Sequence, residues 1–84
     1  MVTDVYIVHN SDININGETN LSPFFHFIDE RTRHGKSEGY KLKHQFGAKL
    51  SPFVICYDKE KPIKGFWSES GEDVIKSLIN YLNE

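Results

Sequence analysis

At 84 residues, 38% of them hydrophobic and 13% aromatic, the chain is long enough for one small domain, residues 1–84, and too rich in core-forming side chains for a disordered segment. Ten basic residues against twelve acidic ones give a net charge of -2, which excludes the overall basic field of a nucleic-acid binder and leaves nucleic acid an unexpected partner. A single cysteine cannot form an internal disulfide, and no stretch reads as an export signal or a membrane span, so the sequence predicts a soluble, cytoplasmic, monomeric protein with no membrane partner.

The first element in chain order is a strand over Val5–Val8, a β-branched and aromatic run closed by the turn-forming His9–Asp12. Ile13–Gly17 alternates apolar and polar residues, but Asn is a poor strand former, so the stretch reads as a loop with Ile13–Ile15 as an optional edge strand. Ser22-Pro23 has the form of a helix start, with Ser as N-cap and Pro at the first helical position. Leu21, Phe24, Phe25 and Ile28 then recur at helical spacing, which predicts a first helix ending near His34-Gly35. A short second helix is expected over Lys36–Phe46, anchored by Tyr40, Leu42 and Phe46 and stopped at Gly47.

Phe53–Tyr57 is a nearly continuous apolar run, the pattern of a strand buried on both faces. Asp58–Pro62 is a charged turn, and Ile63–Trp67 returns as the second arm of a hairpin. Ser70-Gly71-Glu72-Asp73 resembles a capping box, and Val74, Ile75, Leu78, Ile79 and Leu82 form the apolar stripe of a last helix. The order strand, helix, short helix, strand, strand, helix predicts an α/β fold in which strand one pairs in parallel with the strand after Pro52.

The second half, "HQFGAKLSPFVICYDKEKPIKGFWSESGEDVIKSLINYLNE", resembles the C-terminal half of thioredoxin-fold proteins: a short helix, a loop ending in a proline, a hairpin and a terminal helix. The resemblance implies a small three-layer thioredoxin-like fold, a mixed sheet of three or four strands with about three helices. It also implies that Pro52 is the family's cis-proline, with Ser51 before it. Thioredoxins and glutaredoxins carry their thiols at the start of helix one, where the helix end lowers the thiol pKa. The matching place here reads Leu21-Ser22-Pro23-Phe24, so Leu and Phe stand at both thiol positions of a Cys-x-Pro-Cys pattern. Cys56 falls in the predicted central strand, where a free cysteine is ordinarily a small buried hydrophobe.

The resemblance without its thiols implies a redox-inactive domain, lacking catalytic residues and cofactor, that binds a protein or an extended peptide. Its groove would be formed by Leu21, Ser22, Pro23 and Phe24 on one side and Leu50, Ser51 and Pro52 on the other, with the backbone of Ser51 pairing by strand addition. Two other readings stay open: a thiol-disulfide or glutathione-dependent oxidoreductase working through Cys56 or a partner's cysteine, and a small phage or mobile-element protein that binds a host enzyme. His26 and Glu30 lie four apart, and His9 and Asp12 flank the first loop, but no zinc-type spacing supports a metal site. Ser22 and Ser51 have no base assigned by the sequence, and Ser22 reads as a cap. Arg31, Arg33, Lys36, Lys41, Lys43 and Lys49, with His34 and His44 among them, form a modest basic cluster in the middle of the chain.

Overall fold

Residues 1–13 and 23–84 are described by a computed structural model. Its elements run β1 (Asp4–His9), β2 (Phe24–Asp29), α1 (Arg33–Phe46), β3 (Phe53–Asp58), β4 (Lys61–Trp67) and α2 (Gly71–Leu82). The four strands form one mixed sheet in the order β2-β1-β3-β4. β1 runs parallel to β2, with Asp4 beside Phe24 and His9 beside Asp29, and antiparallel to β3, with Val8 beside Phe53. β3 and β4 close an antiparallel hairpin with a register shift at Cys56/Tyr57, next to Pro62.

Alternation along the central strands divides the core between the two faces. Val5 and Ile7 of β1 and Val54 and Cys56 of β3 pack under Val74 and Leu78 of α2. Val8, Phe53 and Ile55 point the other way, where Leu42 and Phe46 of α1 cover them. A helix on each face of the sheet makes three layers, and burying each of these large side chains contributes about 1.5–3 kcal/mol. Both helices carry the caps their sequences supply: Thr32 accepts from the Gly35 N–H at 2.9 Å, and Ser70 from the Asp73 N–H at 3.3 Å.

The α/β class, the hairpin, the helix ending at Gly47 and the last helix are as the sequence predicts; the first half differs. Phe24–Asp29 is a strand, not the body of a first helix, so the described residues contain two helices, and no helix begins at Pro23. Phe24, Phe25 and Ile28 satisfy helical spacing, yet FFHFID is dominated by aromatic and β-branched residues that suit a pleated surface, and pairing with β1 decides the outcome. His34-Gly35 is correspondingly not a helix end: it lies in the first turn of α1. The parallel partner of β1 is β2, and the strand after Pro52 runs antiparallel to it. Ile13 packs against the α2-side core, while the optional edge residues Asn14 and Ile15 lie outside the described residues.

Candidate functional site

The parallel strands β1 and β2 end side by side at His9 and Asp29, and the carboxyl end of such a pair is where open α/β sheets offer a crevice. The Leu50–Pro52 corner reaches the same end because Phe53, the residue after it, pairs with Val8. Gly47 adopts φ 69° and stops α1, Ala48 N–H returns to Lys43 O at 2.9 Å, and the chain then exposes Lys49 and Leu50 before burying Pro52. The Ser51–Pro52 peptide bond is cis. α2 begins directly over this corner: a Cβ at Gly71 would sit 3.7 Å from Pro52 Cγ and 3.4 Å from Ile13 Cδ1.

Glu30 ties the corner to the sheet and to α1. Its backbone N–H donates to His9 O at 2.7 Å, one carboxylate oxygen accepts from Ser51 Oγ, and the other lies 2.7 Å from Lys43 Nζ. Both charged groups are largely buried, so each depends on the other. Ser51 therefore presents a hydroxyl already committed to a carboxylate, and among the described residues that hydroxyl makes no hydrogen bond to the imidazole or amine base that a serine nucleophile needs. Its main chain is less engaged. Among the described residues, no turn, cap or loop backbone hydrogen bond uses the N–H or C=O of Leu50 or Ser51.

Beyond Glu30, Arg31 clamps Asp29 with Nε to Oδ1 at 2.9 Å and Nη2 to Oδ2 at 3.0 Å, and Nη2 also reaches Asp12 Oδ1 at 2.9 Å. These bonds from Arg31 lower the Asp29 pKa to about 2. Buried His9 donates from Nδ1 to Ser11 O at 2.8 Å and meets the Phe27 ring edge-on. His26 Nε2 lies 3.0 Å from Asp4 Oδ1, with its ring stacked on Tyr6. His26 and Glu30, four apart in sequence, thus have separate partners on separate strands and chain segments, and among the described residues no three ligand-type side chains gather as a metal site.

The residues expected to form one groove are not all brought together. Leu50, Ser51 and Pro52 stand at the end of the sheet where β1 finishes, whereas Pro23 and Phe24 stand where β1 begins, roughly 15 Å away along the strand. Pro23 lines a cavity with Met1, Val2, Ile63, Tyr81 and Leu82, and Phe24 is 75% exposed at the start of β2. Leu21 and Ser22 lie outside the described residues. Glu30, Lys43 and His9 were not expected at the corner: Glu30 is 21 residues from Ser51 in sequence, and only β1–β2 pairing makes the two neighbours. Cys56 is fully buried beneath α2, and loss of water around the sulfur raises its pKa to about 11. In comparisons with known proteins, no family model and no curated protein matches the chain.

Proposed function

We propose that the chain is a redox-inactive, thioredoxin-like binding module that holds a protein or extended peptide against the Leu50–Ser51–Pro52 corner. The observation that carries this reading is the state of Ser51: its hydroxyl is occupied by Glu30, while its main-chain groups and those of Leu50 take no part in the turn, cap and loop hydrogen bonds of the described residues. A segment laid along the corner would recover those bonds by strand addition, with exposed Leu50 supplying an apolar contact. Support for the family comes from the order after β1: strand β2, helix α1, a loop ending in Pro52, the β3–β4 hairpin and terminal α2. Phe24, expected at a thiol position, is no part of the corner and drops out of the proposed surface.

Against the oxidoreductase reading, the chain's sole thiol is buried and its pKa is raised, the reverse of what a nucleophilic thiolate requires. The test is to select extended peptides by display against the folded protein and map the best one by amide chemical shifts. Shifts centred on Leu50–Phe53, abolished by N-methylating alternate peptide amides, are expected. Shifts elsewhere, or insulin reduction above a no-protein control that disappears in Cys56→Ala, would overturn the proposal.

A further inference from the structure

The first turn of α1 breaks a rule of helix design. It carries Arg33, His34 and Lys36 and no acidic residue, although the N-terminal end of a helix is the positive end of its dipole and favours carboxylates. Cations there cost stability, and a local rule broken with no gain in the fold marks a residue kept for another purpose. The helix geometry extends the pattern. Arg33, Ser37, Lys41 and His44 recur at intervals of three and four, so they share one stripe with Lys36 and Tyr40 beside it, and all six are exposed.

The two neighbouring cations that are used structurally point away from this stripe: Lys43 bonds to Glu30, and Arg31 bonds to Asp29 and Asp12. Among the described residues, Arg33, Lys36 and Lys41 enter no ion pair. The lone carboxylate of α1, Glu38, is turned off the stripe toward Tyr6 and Tyr57. In the middle of the stripe Tyr40 is 68% exposed, with its ring stacked on His44 at 6.0 Å between centroids. An exposed tyrosine on a helix face that also carries Arg33, Lys36 and Lys41 has the composition of an interface anchor, since Tyr and Arg concentrate binding energy at protein contacts.

We propose that the outer face of α1 is a second docking surface, and that its occupant is an acidic segment of a partner protein. Charge complementarity selects this occupant. The stripe presents Arg33, Lys36 and Lys41, which enter no ion pair among the described residues, inside a chain of net -2, so the rest of the molecule repels the segment that this face attracts and orients it. A polynucleotide would have to accept that same repulsion along its whole length, and the chain's isoelectric point of about 6.1 lies far below the basic range of nucleic-acid-binding domains. This surface is independent of the Ser51–Pro52 corner.

The experiment titrates the labelled protein with poly-L-glutamate and, separately, with the single strand (dT)20, at 50 and 300 mM salt. Poly-L-glutamate is expected to shift amides of residues 33–45 and to bind at least fivefold more weakly at the higher salt. Lys36→Glu combined with Lys41→Glu should reduce that binding at least tenfold, and Tyr40→Ala should weaken it severalfold. Lys36→Glu alone should raise the melting temperature by about 3 °C, because it relieves the conflict with the helix dipole. That gain separates lost binding from lost folding. Shifts at Leu50–Phe53 instead of 33–45, tighter binding of (dT)20 to the α1 face, or an unchanged affinity in the double variant would each overturn the proposal.

Discussion

Alanine at Gly35 should destabilise this protein, although it replaces glycine inside a helix. In an isolated helix the exchange gains about 1 kcal/mol, because Ala is the best helix former and Gly one of the worst. Here the third residue of α1 lies directly on the end of β2. A Cβ at Gly35 would fall on the carbonyl oxygen of Asp29, 2.6 Å from the carbonyl carbon and 2.7 Å from Thr32 Oγ1. Ordinary carbon contacts need about 3.5 Å, so the start of α1 must retreat by roughly 1 Å from the strand that precedes it. That retreat pulls on the Thr32 cap, whose bond to Gly35 N–H is 2.9 Å, and a lost cap costs about 1 kcal/mol. Overpacking of this kind adds about 1–3 kcal/mol, and because the obstacle is backbone it cannot rotate away. After the propensity gain, a net loss of about 1–3 kcal/mol is expected, out of a total near 5–10 kcal/mol for a domain of this size. Urea unfolding of Gly35→Ala, followed by circular dichroism, measures it, with Gly71→Ala as control because a Cβ there meets its neighbours at ordinary distances of 3.4 and 3.7 Å. A Gly35→Ala protein as stable as the parent, or more stable, would show that α1 does not approach β2 this closely.

The Glu30–Lys43 pair should couple strongly: a double-mutant cycle with Glu30→Gln and Lys43→Met is expected to give about 1–3 kcal/mol, and a value near zero would place the pair in solvent. Asp29 has its pKa lowered to about 2 by Arg31, so its contribution is complete above the unfolded value near 4 and is lost as pH falls from about 4 to 2. Asp29→Asn should accordingly flatten the acid limb of stability in that window, as read by denaturant midpoints at successive pH values. Cys56 has its pKa raised to about 11, so native protein should react with a thiol reagent at pH 8 far more slowly than protein in denaturant, and equal rates would contradict its burial. Leu78→Ala, which empties a fully buried position under α2, should cost about 3 kcal/mol in the same unfolding assay.

Much of the second half was legible in the sequence because each element there carries its own signal. The run Phe53–Tyr57 is apolar on both faces, the hairpin turn is charged, and α2 has both its Ser70 cap and an apolar stripe, so local chemistry and global position agree. Gly47 could be read as a helix stop because only a residue that tolerates φ 69° ends α1 in this way. The burial of Cys56 followed from the strand that contains it.

Only the tertiary structure decided the first half and the site. FFHFID fits a helical stripe and a half-buried strand equally well at the level of spacing, and it becomes β2 because β1 offers it a parallel edge. Gly35 reads in sequence as a helix end, yet its smallness serves the approach of α1 to Asp29, a contact between segments that no local pattern records. The same holds at the corner, where Glu30, Lys43 and Ser51 belong to three different segments, and their charges and hydroxyl meet only because β2, α1 and the loop before β3 converge. Periodicity specifies what a segment can bury, but which partner buries it is settled by pairing and packing across the chain.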